Sequence, residues 1–259
     1  MMIKAYLLVS ALAASGLCMP QFNGSEFCTT PKLSEEEKKE AREEMAATEA
    51  ASLLEARQTI TVQTYLHVIA KDNTVAGGYL SRETMLAQMD RLNNDFAGTG
   101  FGFSLADIDG AVNPDWAVNP DWAVNRDHLA MRRALRKGSY STLNLYFQDY
   151  LDGGYCPRPK NVDRGSDAFY LDGCYISKNV VPGGSSEIFP QGKIAAHEVG
   201  HWLFLYHTFD GGCVGEGDEV DDTPAEKPRI ARNECPVGRD SCPGGGPDPI
   251  HNNMTYTTE

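Results

Sequence analysis

Positive charge is what this 259-residue chain has least of: Lys and Arg number 23 against 36 Asp and Glu, a formal net charge of -13. That balance excludes a nucleic-acid partner, because phosphate backbones are held by basic surface. Long apolar runs are missing as well. The stretch from Ala5 to Leu17 is too short to span a bilayer. It follows Lys4 and leads into Ala13, Ala14, Ser15 and Gly16, the layout of an export signal over 1–19. No later stretch is apolar enough for a span, so no membrane attachment is expected after signal cleavage. The seven cysteines contain no CxxC pair, which argues against a cysteine-type zinc site. Cys18 leaves with the signal, and export makes disulfides the default expectation for the others.

Residues 20–58 read as a pro-segment. From Ser34 to Arg57 the chain is rich in Glu, Lys and Ala and has no Gly or Pro. Ser34 with Glu37 three residues later forms a capping box, so an exposed helix is expected. Asn23-Gly24-Ser25 is a glycosylation sequon. Asn253-Met254-Thr255 is another, but its segment is expected to be buried.

The folded domain is expected over 59–259. Alternation and β-forming residues predict strands at Thr61–Ala70, Phe101–Ile108, Leu143–Gln148 and Tyr175–Val181. Helical spacing predicts helices at Ser81–Phe96 and Asp127–Lys137. Strands interleaved with helices imply an α+β fold, a mixed sheet covered by helices. Ala111 to Trp116 is repeated by Ala117 to Trp122. Two or three six-residue units are too few for a solenoid, so a duplication in a surface loop is expected.

The chemistry concentrates in His197-Glu198-Val199-Gly200-His201. Two histidines four apart on a helix share one face and can share one ion. Glu198 follows the first of them and faces the adjacent space, where a general base for an activated water belongs. His207 comes six residues after His201, so the chain must leave the helix and turn back to deliver it. Three histidines with one open position describe a catalytic zinc and not a structural one.

The segment from His197 to His207 resembles the metzincin zinc proteases, whose extended motif is H-E-x-x-H-x-x-G-x-x-H with a downstream Met-turn. His251-Asn252-Asn253-Met254-Thr255-Tyr256 is similar to that Met-turn, with Met254 and Tyr256 as its residues. Within the metzincins the wording is similar to the pappalysin family, and among those to secreted fungal extracellular metalloproteinases. Gly211-Gly212-Cys213, Asp221 to Glu226, Asp248 to His251, Val181 to Ser186 and Leu143 to Gln148 carry the same likeness. It covers residues 59 to the C-terminus.

The resemblance implies a metzincin-like zincin: a twisted mixed sheet, an active-site helix and a Met-turn. It implies a secreted zinc-dependent endopeptidase, made as a zymogen and acting on protein or peptide substrates. One Zn2+ would be held by His197, His201 and His207, with Glu198 as general base and Met254 as an apolar floor. An extended substrate would lie beside an edge strand, for which Tyr175–Val181 is the candidate. Cys28 is either a pro-segment thiolate on the open zinc position or an additional disulfide partner or idle thiol. The acidic loop with Asp218, Asp221, Asp222 and Thr223 is either a Ca2+ site or a solvated loop. Cys156 pairs with Cys174, and Cys213 pairs with Cys235 or Cys242. The oligomeric state is left open.

Two departures qualify the resemblance. The motif glycine is Phe204 here, in a turn that favours positive φ, at a cost of about 1–2 kcal/mol. The chain also stops at Glu259, where the family continues with a further cysteine and a helix, so a truncated C-terminal subdomain is expected. Both support an alternative expectation, a catalytically impaired or inactive metzincin relative.

Overall fold

The computed structural model describes residues 28, 30–52, 59–117, 126–149, 153–214, 217–228 and 237–257. Helix α1 spans Glu35–Ser52 and starts as its capping box dictates. Ser34 Oγ accepts from the Glu37 amide at 3.2 Å, and Glu37 Oε2 accepts from the Ser34 amide at 2.8 Å. Then follow β1 (Ile60–Ala70), α2 (Arg82–Asp95), β2 (Phe101–Val112), α3 (Pro114–Ala117), α4 (Arg126–Leu135) and β3 (Leu143–Gln148). The chain continues through β4 (Gly154–Tyr155), α5 (Asp167–Tyr170), β5 (Cys174–Ser177), a 3-10 turn at Lys178–Val180 and α6 (Lys193–Trp202). Ser81 caps α2, its hydroxyl accepting from the Thr84 amide at 3.1 Å.

The five strands form one mixed sheet in the order β2-β1-β3-β5-β4. β1 is parallel to β2 and β3, and β3 is parallel to β5, while β4 is antiparallel to β5. Every residue of β3 is buried, as expected of a strand covered on both faces. On one face Leu145 and Phe147 pack with Met85, Met89 and Leu92 of α2 and Val199 and Trp202 of α6. On the other, Tyr146 and Tyr175 pack with Met131 and Leu135 of α4.

The fourth strand is shorter than the sequence suggests. Extended backbone ends at Ser177, whose hydroxyl accepts from the Asn179 amide at 3.2 Å and starts the 3-10 turn. β5 is also not an edge. It is bonded on both sides, and the edge strand at this end of the sheet is the two-residue β4, so the candidate Tyr175–Val181 edge is corrected to Gly154–Tyr155. The first repeat unit is not simply a surface loop either. It closes β2 and starts α3, which ends on the fully buried Ala117, the first residue of the second unit; residues 118–125 lie outside the described residues. The helix reading over 53–57 and the sequon at Asn23 lie outside them too. Disulfides join Cys156 to Cys174 and Cys213 to Cys242, and Cys235 falls outside the described residues. Among the described residues no helix is long and apolar enough to cross a membrane.

A buried carboxylate ties the end of α6 to α4. Asp172 accepts from Arg136 Nη2 at 2.9 Å and from the Trp202 indole at 3.0 Å, and all three are buried. Removing one partner of a buried pair leaves the other charge uncompensated. Asp172→Ala is expected to cost about 3–5 kcal/mol of unfolding free energy in denaturant titrations. A loss below about 1 kcal/mol would show that this contact does not hold α6 in place.

Candidate metal centre

Three of the predicted site residues come from α6 and the turn after it. His197 and His201 lie on one face of the helix, their ring centroids 4.8 Å apart. The helix ends at Trp202, and the chain reverses through a Schellman turn. Phe204 N–H donates to His201 O and Leu205 N–H to Gly200 O, both at 2.9 Å. Phe204 takes φ 82°, the left-handed conformation that a glycine normally supplies there. The strain expected from the sequence is therefore present, but the turn is made. His207 returns with its Nε2 3.1 Å from His201 Nε2.

The orientation of each ring is fixed from behind. His197 Nδ1 is 2.6 Å from Asn253 O, and His201 Nδ1 is 2.8 Å from Leu205 O. A carbonyl only accepts, so both Nδ1 atoms carry the proton and both Nε2 atoms present lone pairs to the centre. Asp210 supports His207: its Oδ2 accepts from the His207 amide at 3.2 Å and lies 3.6 Å from Nδ1. Burial, then the neighbouring His207, pushes His197 down to about 3. Burial and the other two rings push His201 well below its usual range. Burial lowers His207 as well.

Cys28 completes the cluster. Its Sγ is 3.4 Å from His201 Nε2, and the ligand atoms of Cys28, His197, His201 and His207 all lie within 4.8 Å of one another. This is the one group of three or more candidate ligands among the described residues. Neutral nitrogens with converging lone pairs repel one another unless a cation lies between them. A tetrahedral zinc separates its ligand atoms by roughly 3.3–3.6 Å, close to the spacings seen. The donor set therefore fits zinc.

Glu198 is fully buried one residue from the first histidine, and burial pushes its carboxyl up to about 8. Its Oε2 accepts from Thr30 Oγ1 at 3.3 Å. β4 passes directly above it. A Cβ on Gly154 would come within 2.5 Å of Glu198 Cγ, so the edge strand reaches Glu198 only because residue 154 has no side chain. Below the helix the same device recurs, since a Cβ on Gly200 would meet Met254 Sδ at 2.3 Å. Met254 is thus buried directly against the helix that carries His197 and His201. Tyr256 packs its ring 4.8 Å from that of His207, and its hydroxyl donates to Cys28 O at 3.3 Å.

The acidic loop does not gather in the same way. Asp218 is buried, and burial pushes its carboxyl up to about 7, while Asp221 and Asp222 are exposed and Thr223 is half-buried. These side chains form no ligand cluster among the described residues.

Several supporting residues escaped the sequence. Glu226 is fully buried and accepts from Thr208 Oγ1 at 2.5 Å and Thr255 Oγ1 at 2.7 Å, stapling the post-helix turn to the Met-turn. Arg239 adds a third contact at 3.1 Å. Thr30, Arg158 and Asp210 were missed too. Only Asp210, three residues after His207, had a local signal.

The Peptidase_M43 family, described as Pregnancy-associated plasma protein-A, matches residues 143–258. An extracellular metalloprotease of Colletotrichum graminicola is 44% identical over 261 residues, 98% of this chain and 90% of that protein. Extracellular metalloprotease 1 of Coccidioides posadasii is 45% identical over 223 residues, 85% of this chain and 78% of its own length. Among solved structures, mirolysin in complex with a compound numbered 9 has a TM-score of 0.61 at 23% identity, covering 78% of this chain and 85% of that one. Promirolysin of Tannerella forsythia has a TM-score of 0.60 at 20% identity, covering 90% and 88%. At that identity the structural likeness speaks to the fold alone, a mixed α+β sheet covered by helices.

Because Phe204 already makes the turn, Phe204→Gly is expected to leave zinc binding near one ion per chain and to shift its affinity by less than about tenfold. Zinc titration of both proteins checks this, and a large gain in affinity on introducing glycine would show that Phe204 distorts the centre.

Proposed function

The chain belongs to the extracellular metalloprotease family that carries the Peptidase_M43 domain, and from that membership we propose a secreted zinc endopeptidase kept latent by its own residues 28–34. The observation that carries the proposal is the pair of carbonyl-anchored imidazoles, His197 and His201, turned inward beside Glu198.

In this reading His197, His201 and His207 hold one zinc through their Nε2 atoms. Bound there, zinc supplies Lewis acidity, polarising a peptide carbonyl and making water a usable nucleophile near neutral pH. Glu198 takes the proton of the attacking water on its carboxylate and delivers it to the leaving amine. Its burial favours the neutral form, which suits the second of those transfers. β4 supplies backbone groups for an extended peptide, and Gly154 lets that peptide approach Glu198. The left-handed turn at Phe204 and the reach of His207 support a competent centre over an impaired one.

Latency rests on where the early residues lie. Cys28 pairs as a parallel bridge with Gly154 of the edge strand, and its sulfur faces the three imidazoles. Thr30 engages Glu198. One short segment thus covers the fourth ligand position and the base together. Thiolate is a good zinc ligand, so Cys28 acts as the removable fourth ligand of the zymogen. The likeness to proteins named extracellular metalloproteases supports secretion.

Two measurements test this. Glu198→Ala is expected to lower kcat/KM on a protein substrate by at least about 10³-fold while zinc content is retained. Retained hydrolysis would remove Glu198 as the base. Cys28→Ser in the full chain is expected to raise activity before processing by about tenfold or more. Unchanged latency would show that the thiol does not hold the zymogen silent.

A further inference from the structure

Arg158 lies just beyond β4 and has a side chain that the fold uses only in part. It is 7% exposed. Its Nη1 donates to the carbonyl of Pro31, in the segment that blocks the cleft. Its guanidinium sits 5.1 Å from the centre of the Tyr206 ring. Among the described residues, however, its Nε and Nη2 have no hydrogen-bond partner, and neither does the buried Tyr206 hydroxyl. Buried guanidinium N–H groups left unpaired are costly. Burial accordingly lowers the pKa of this arginine.

The unpaired atoms have a particular geometry. Nε and Nη2 form the side-on fork of a guanidinium, which matches the two oxygens of a carboxylate. This chain uses that same fork elsewhere: Arg91 donates through Nε and Nη2 to the two oxygens of Asp95 at 2.8 and 2.7 Å. In Arg158 the same fork has no carboxylate bonded to it among the described residues.

The surroundings point the same way. Lys160, two residues on, is exposed and adds a second positive charge. From the blocking segment, Glu37 in the acidic first turn of α1 feels this basic end. Hydrogen bonds from Ser34, and then the charges of Lys160 and Arg158, hold the Glu37 carboxyl below its usual range. The nearby Asp210 is already engaged by Lys32 at 3.2 Å and by His207.

The register gives the position. Cys28 opposes Gly154, Thr30 Oγ1 bonds both the amide and the carbonyl of Cys156 at 3.1 Å, and Pro31 reaches Arg158. Cys28, Thr30 and Pro31 therefore lie in turn beside residues 154–158, with Cys28 at one end and Arg158 at the other. We infer that Arg158, backed by Lys160, is a specificity residue that binds an acidic side chain of the peptide substrate about three residues from the scissile bond. The inference rests on reading residues 28–34 as a removable block on a zinc peptidase.

The test uses the zinc-loaded protein after processing of the full chain. Matched peptides carry Glu, Gln or Lys three residues before the scissile bond, or three residues after it. The Glu peptide is expected to be cut with a kcat/KM about tenfold above its Gln counterpart on one side. That side reports the direction in which substrate lies along β4. Arg158→Gln should bring the Glu-to-Gln ratio near one, and Arg158→Glu should turn the preference toward Lys. Equal rates for Glu and Gln on both sides, or a ratio unchanged in Arg158→Gln, would overturn the inference. Fluorescence-polarisation binding of the same peptides to the processed Glu198→Ala protein reads the subsite without hydrolysis. Selective binding of Glu peptides that the wild type fails to cut would leave the subsite standing and sink the peptidase. Cutting without selectivity would do the reverse.

Discussion

Two hydrogen bonds behind the imidazoles organise this molecule. Asn253 O and Leu205 O each take the Nδ1 proton of a histidine on α6, and so turn two Nε2 lone pairs into one buried space. Without those carbonyls the rings are free to rotate or change tautomer, and the helix spacing alone would not make a site. The two carbonyls come from different places, one from the Schellman turn and one from the Met-turn. The metal centre thus depends on the two turns being held together, which Glu226 does through Thr208 and Thr255.

The sheet contributes position more than chemistry. β3 and β5 give α6 a flat apolar bed, and Asp172 fixes the end of that helix through Trp202. Two missing side chains then allow close approach. Gly154 lets the edge strand lie over Glu198, and Gly200 lets Met254 lie under the histidines. The edge strand is two residues long, yet it is the part of the sheet that faces the cleft. Cys28, Thr30 and Pro31 lie along its open side, so a few residues touch the histidine cluster, Glu198 and Arg158 at once.

The fold was legible where periodicity is strong. The third strand, Leu143–Gln148, is found at its predicted bounds, and α2 lies within one residue of its predicted ends. His197, Glu198 and His201 follow from helix geometry, and Met254 and Tyr256 from the resemblance. Illegible were features set by pairing between distant segments. A two-residue strand carries no periodicity, so β4 was missed, and the edge was assigned to β5 because β-forming residues continue past Ser177. Phe204 illustrates a different limit. The sequence shows an unfavourable residue at a left-handed position, but whether the chain bends there depends on the whole Schellman turn. Thr30 and Arg158 were hidden because their partners lie more than a hundred residues away.

The central claim is that Cys28 and three histidines share one zinc in the intact chain. Zinc K-edge X-ray absorption on the full-length protein, before and after removal of the pro-segment, tests it most directly. The account predicts a shell of three nitrogens and one sulfur near 2.3 Å in the intact chain. After removal, the sulfur is replaced by an oxygen and the three nitrogens stay. A shell without sulfur in the intact chain, or one that loses a nitrogen on processing, would contradict it.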